Sequence, residues 1–157
     1  MDRRTFLASV AATVAASVTG AAHATSFFPS QVDMKLFEGI NRVKDPAKKS
    51  GLEKGHAPYL KAPETVKAGE QFVVEISVGE SLHPMGPNHW IEFIELNIGN
   101  EPAGRVDFQP RGFLKPRATF TVTIPRETAP NGKLTLVARQ MCNLHGLWES
   151  DFDIIVT

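Results

Sequence analysis

This chain reads as an all-β protein, a sandwich of two sheets packed face to face. Alternation is the first sign. Phe72, Val74, Ile76 and Val78 fall on one face of residues 71–78, and Phe120, Val122 and Ile124 on one face of residues 118–124. A period of two marks a half-buried strand. Punctuation is the second sign. Twelve glycines and eleven prolines cut the chain into six or seven short runs, and short strands at turn-length spacing close their apolar faces by stacking two sheets.

The elements follow in order. Residues 25–60 show little period. A short helix or an extended lead-in suits Thr25 to Asn41, and the charged stretch Val43 to Lys54, with Asp45-Pro46 and Ser50-Gly51, reads as loop. Pro58 holds Ala57 extended. Lys67-Ala68-Gly69-Glu70 is a turn into the strand Gln71 to Val78. The Pro- and Gly-containing loop Gly79 to Asn88 leads to a strand from His89 to Ile98. A short strand at Arg105 to Phe108 and the strand Ala118 to Ile124 come next. Pro130-Asn131-Gly132 is a strong turn signal. Strands at Lys133 to Arg139 and Asp151 to Val156 finish the domain.

Length and charge limit the function. The chain has 157 residues, room for one domain, with 17 basic and 17 acidic side chains. No cationic excess exists to neutralise a phosphate backbone, so nucleic acid is not an expected partner. One cysteine allows neither an intrachain disulfide nor an all-cysteine metal cluster.

Residues 1–24 read as an export signal. Arg3-Arg4 precede Phe6-Leu7, an apolar stretch runs from Ala8 to Ala22, and Ala22-His23-Ala24 offers a small-x-small cleavage site. The stretch is short of the ~20 residues of a membrane span. Paired arginines before Phe-Leu resemble a twin-arginine signal, which implies periplasmic delivery of a folded protein. Cleavage after Ala24 leaves residues 25–157 as the functional domain, with 15 basic and 16 acidic side chains, four histidines and the one cysteine.

Those five residues carry the chemistry. His56 follows Glu53-Lys54-Gly55, His83 sits in the Pro-rich loop, His89 opens the strand after it, and Cys142 and His145 lie in the loop between the last two strands. Every one sits in or beside a Gly/Pro loop, and loops at the ends of a sandwich let distant chain positions converge. A thiolate and an imidazole three residues apart form a compact chelating pair for a borderline metal. Zinc is satisfied by four ligands, fewer than are offered. A copper electron-transfer site wants a Met after the cysteine, and none follows Cys142. Five mixed donors suit square-pyramidal iron, with an axial thiolate and the opposite position open.

The elements Glu53-Lys54-Gly55-His56-Ala57-Pro58, His83-Pro84 with His89 six residues on, and Cys142-Asn143-Leu144-His145-Gly146 resemble the superoxide reductase family, that is, neelaredoxin and the catalytic domain of desulfoferrodoxin. The resemblance spans roughly residues 35–157. It implies an immunoglobulin-like seven-stranded sandwich. It also implies one mononuclear non-haem iron held equatorially by His56, His83, His89 and His145, with Cys142 axial. The absence of a four-cysteine amino-terminal module implies the one-iron type, and the small members of the family form tetramers. The implied activity is reduction of superoxide to hydrogen peroxide, with the iron re-reduced by an external donor. Backbone N–H groups of Asn143 and Leu144 are candidate donors to the Cys142 sulfur. The family's Glu closes the sixth iron position and its Lys draws in the anion, which would assign those roles to Glu53 and Lys54.

One departure bears on that assignment. The family places its acid and lysine immediately before the first histidine, whereas Gly55 intervenes here. In extended chain one extra residue reverses side-chain direction, and Gly55 offers a bulge to absorb it. Lys48 or Lys49 are alternative cations. If both roles are lost, the chain is instead an iron-binding redox or sensor protein on the same scaffold. Trp90, Tyr59 and Trp148 each read either as shields of the site or as core, and Phe27, Phe28, Phe37 and Phe108 as candidate subunit-interface residues.

Overall fold

The computed structural model describes residues 32–111 and 114–157. The expected signal, the cleavage site, Phe27 and Phe28 lie outside the described residues. Among the described residues nine strands form two sheets: β1 (Ile40–Asn41), β2 (Pro58–Lys61), β3 (Thr65–Val66), β4 (Gln71–Val78), β5 (Ile91–Ile98), β6 (Glu101–Asp107), β7 (Arg117–Thr123), β8 (Lys133–Cys142) and β9 (Gly146–Val156). One sheet runs β1-β9-β8-β5-β6, with β3 also on β9, and the other runs β2-β4-β7. Seven strands have four residues or more. Their pairing, β9-β8-β5-β6 against β2-β4-β7, is that of an immunoglobulin-like sandwich. The two-residue strands β1 and β3 run parallel to opposite ends of β9 and cover much of what would be an open edge.

The core is what the alternation predicts. Val74, Ile76 and Val78 of β4 are buried against Ile91, Ile94 and Leu96 of β5, Leu136 and Ala138 of β8, and Ile154 of β9. Each large aliphatic side chain so buried contributes roughly 1.5–3 kcal/mol before conformational entropy is subtracted. Phe108 is part of this core and so is not an interface residue; Phe37 is half-buried.

Three local readings are corrected. Residues 51–56 are not loop: Gly51–His56 is a helix, α1. Ser50 Oγ accepts from the Glu53 N–H at 3.2 Å, and Glu53 Oε2 accepts from the Ser50 N–H at 2.6 Å. This reciprocal capping box satisfies two N–H groups at the helix start, and it outweighs the loop-like charge and Ser-Gly composition. Gly55 is therefore one more helical residue rather than a bulge in extended chain. Second, the β8–β9 hairpin is longer than expected. Cys142 is the last strand residue and pairs with Gly146, so a three-residue turn replaces the anticipated long loop. Third, His89 lies two residues before β5 rather than opening it.

Gly146 makes the tight turn possible. Its φ is +73°, a left-handed conformation, and a Cβ there would collide with the Leu36 carbonyl oxygen. The start of β2, the end of β4, the start of β5 and the β8–β9 turn all meet at one end of the sandwich. The candidate site is at that end.

Candidate metal centre

Four imidazoles and one thiol converge here from four chain segments. His56 ends α1. Its Nδ1 is 2.9 Å from the Leu52 carbonyl. A carbonyl only accepts, so Nδ1 carries the proton and Nε2 turns a bare lone pair inward. His83 repeats the arrangement: Nδ1–H donates to the Pro84 carbonyl at 2.6 Å, leaving Nε2 free. The His83 Nε2 lies 3.2 Å from His56 Nε2 and 3.0 Å from His89 Nε2. His145 presents Nδ1 instead, 3.1 Å from His89 Nε2. Three residues from Cys142 on a tight turn, it presents the ring nitrogen nearer its own backbone.

Cys142 is fully buried at the end of β8. Its Sγ lies 3.2 Å from His89 Nε2, 3.4 Å from His145 Nδ1 and 3.8 Å from His83 Nε2. The backbone N–H groups of Leu144 and His145 donate to that sulfur. The Leu144 donor is as the sequence suggests, but the Asn143 N–H is engaged elsewhere, on the Trp90 carbonyl at 3.2 Å.

Burial keeps this cluster neutral. Desolvation, then the neighbouring rings, lowers His56 to about 4 and His83 to about 3. Desolvation also lowers His89 and His145. It raises the Cys142 thiol to about 11 against the pull of the two N–H donors. At neutral pH the metal-free site thus turns at least two bare lone pairs inward, on His56 Nε2 and His83 Nε2, 3.2 Å apart. A cation is the group that satisfies all of them at once.

The spacing fits one metal ion. The donor atoms of His56, His89, Cys142 and His145 all lie within 4.8 Å of one another. Successive nitrogen separations of 3.2, 3.0 and 3.1 Å run from His56 through His83 and His89 to His145, with His83 outside the set of four. The Cys142 sulfur is within 4 Å of the His83, His89 and His145 nitrogens. Four nitrogens with a single thiolate suit a borderline ion such as iron.

Glu53 and Lys54 do not join the donors. Glu53 Oε1 accepts from the Lys44 N–H at 2.9 Å while Oε2 completes the capping box. These Ser50 and Lys44 amides hold its carboxyl below the usual range. Glu53 and His56, three residues apart, share the buried side of α1, whereas Lys54 is exposed. Lys49 pairs with Glu80 at 2.9 Å, and Lys48 is exposed.

Three further residues hold the ligating side chains. Trp148, one of the two-way readings above, is 3% exposed. It stacks on the His56 ring with centroids 5.5 Å apart, and its Nε1–H donates to the His145 carbonyl at 2.8 Å. Gln140 Nε2 donates to the His56 carbonyl at 2.8 Å from a fully buried side chain. The signal for Gln140 was present, since alternation along β8 puts it on the same inward row as Ala138 and Cys142. Asn143 bonds to both neighbours of His89. Trp90 is half-buried, and Tyr59 is 65% exposed.

The chain matches the desulfoferrodoxin family over residues 48–151. It is 38% identical over 117 residues to a superoxide reductase of Pyrococcus abyssi, covering 68% of this chain and 94% of the relative. A desulfoferrodoxin of Syntrophotalea carbinolica is 42% identical over 96 residues, 61% of each chain. Among solved structures, the superoxide reductase (neelaredoxin) of Ignicoccus hospitalis superposes with a TM-score of 0.62 at 35% identity. That match covers 81% of this chain and all of that one. By its sequence match, its sandwich and its cluster of histidines and cysteine, the chain belongs to the desulfoferrodoxin family of superoxide reductases.

Proposed function

We propose that this protein reduces superoxide to hydrogen peroxide at one non-haem iron held by His56, His83, His89, His145 and Cys142. The observation that carries the reading is the convergence of three Nε2 atoms, one Nδ1 atom and one Sγ, with neighbouring pairs 3.0–3.8 Å apart. An iron ion held by these residues would supply the one-electron chemistry that superoxide reduction needs, with two protons completing hydrogen peroxide and an external donor as the source of the electron.

The chain's own residues do the rest. The Leu52 and Pro84 carbonyls fix the tautomers of His56 and His83, so their ring nitrogens are bare without any proton having to leave. The Leu144 and His145 N–H groups draw electron density from the Cys142 sulfur, which moderates its donation and favours the thiolate over the thiol. Trp148 covers one face of His56. The exposed cations Lys44, Lys48 and Lys54 lie on and just before α1, which carries His56. A small anion is drawn toward such a group, more strongly at low ionic strength.

Export is part of the proposal. Arg3-Arg4 before Phe6-Leu7, the apolar stretch and Ala22-His23-Ala24 support delivery of residues 25–157 to the periplasm by the twin-arginine route. Among the described residues no helix is long and apolar enough to cross a membrane.

The test uses protein purified from an exporting host and analysed for metal. Iron near one per chain is expected, with reductant-dependent superoxide consumption that yields peroxide without the matching oxygen of dismutation. A ferrous protein that reacts no faster than free iron would leave an iron-binding redox or sensor protein on this scaffold.

A further inference from the structure

Asn143 follows Cys142 and makes three hydrogen bonds to the segment that carries His89. Its backbone N–H donates to the Trp90 carbonyl at 3.2 Å. Its side-chain Oδ1 accepts from the Trp90 N–H at 2.9 Å, and Nδ2 donates to the Asn88 carbonyl at 3.1 Å. The three bonds bracket His89 from both sides. They lie just beyond the last regular pair of the β5–β8 ladder, Ile91 with Cys142.

The physical sense lies in what the backbone does next. A continuing ladder would spend the following peptide groups on the neighbouring strand. Here the chain turns, and the N–H groups of Leu144 and His145 point to the Cys142 sulfur. The Asn143 amide carries the same donor and acceptor as a peptide group, so it closes the pairing with residues 88–90 in the backbone's place. One side chain thereby stands in for one backbone N–H and one backbone carbonyl and holds the segment that carries His89, whose Nε2 lies 3.2 Å from the sulfur. Both halves of the amide are needed: the Trp90 N–H requires an acceptor, and the Asn88 carbonyl requires a donor.

We infer that Asn143 is a positioning residue for the metal centre, which sets His89 against the Cys142 sulfur. This inference rests on the iron–thiolate reading above. Asn143→Asp keeps the size and the acceptor but turns a carboxylate oxygen toward the Asn88 carbonyl; Asn143→Ala removes both bonds. Asn97→Ala is the control, since it deletes a buried amide of β5 that bonds to Glu95.

The readouts are iron retention against a chelator and the ferric thiolate charge-transfer band. In both Asn143 variants the expected result is a band shifted in energy and weakened, with iron retention reduced about 10- to 100-fold. The Asn97 variant is expected to lose thermal stability with the band unmoved. A wild-type band together with Asn143 variants that keep its position, and keep iron retention within twofold, overturns the inference while the functional reading stands. A wild-type protein that binds iron without any thiolate band overturns the functional reading instead.

Discussion

Replacing Gln140 by Leu separates fold stability from site geometry. The side chain is fully buried, with Nε2 donating to the His56 carbonyl at 2.8 Å. Its Oε1 is buried with no hydrogen-bond partner among the described residues. Two effects then oppose each other. Losing the donor strands the His56 carbonyl, at a cost of about 1–3 kcal/mol. Removing the unpartnered oxygen returns a similar amount, about 1–3 kcal/mol. Leu fills comparable space, so the metal-free protein is expected to change by no more than about 1.5 kcal/mol, a Tm shift within about 6 °C for a domain of this size. His56 nevertheless loses the tie that holds its backbone to β8, and iron retention against a chelator is expected to fall about tenfold. Gln140→Glu lacks this compensation, because it sets a buried charge against the same carbonyl and is expected to cost roughly 3 kcal/mol or more. Thermal unfolding of metal-free protein and chelator competition measure the two quantities separately. A loss above about 3 kcal/mol for Leu would show that both ends of the amide are paired. Iron retention unchanged within twofold would show that His56 needs no such tie.

Other expectations follow from single contacts. Gly146→Ala forces a Cβ into a left-handed residue and onto the Leu36 carbonyl, so roughly 3 kcal/mol of stability should be lost in denaturant unfolding; a loss under 1 kcal/mol would refute the tight turn. Ser50→Ala removes one half of the capping box and is expected to cost about 1 kcal/mol, read by the same unfolding assay. The metal-free protein should be most stable between about pH 6.5 and 9, because two kinds of group act on either side of that window. His56 and His83 sit at about 4 and about 3 in the fold against 6.5 unfolded, so stability falls as pH drops from 6.5 through those values. Cys142 sits at about 11 against 9.0, so stability also falls as pH rises from 9 through 11. Unfolding midpoints across pH test both edges. Cys142→Ser is expected to retain some iron but lose the thiolate charge-transfer band and most turnover; an unchanged spectrum would refute ligation by the sulfur.

Much of the sandwich was legible because its strands bury one face in water-free contact with another sheet. That demand writes itself as alternation, as in Gln71–Val78 and Arg117–Thr123. The histidine and cysteine cluster was legible for a chemical reason, since imidazole and thiol are the scarce side chains here and each stands beside a Gly/Pro loop. What escaped was local and reciprocal. The helix at Gly51–His56 depends on two hydrogen bonds between Ser50 and Glu53 rather than on apolar periodicity, and its start signal was masked by surrounding charge. The reach of β8 to Cys142 was hidden because Cys, Asn and Gly resemble loop composition, although the inward row Ala138, Gln140, Cys142 continues unbroken. The supporting bonds of Gln140 and Asn143 join residues 84 and 53 positions apart, so only the fold brings them together.

X-ray absorption at the iron edge of the purified, iron-loaded protein asks directly whether one ion sits among these five side chains. The account predicts one sulfur and at least four nitrogen neighbours in the coordination shell of every iron, with the sulfur lost in the Cys142 variant. An iron shell without sulfur, or one of oxygen with fewer than three nitrogens, would contradict it.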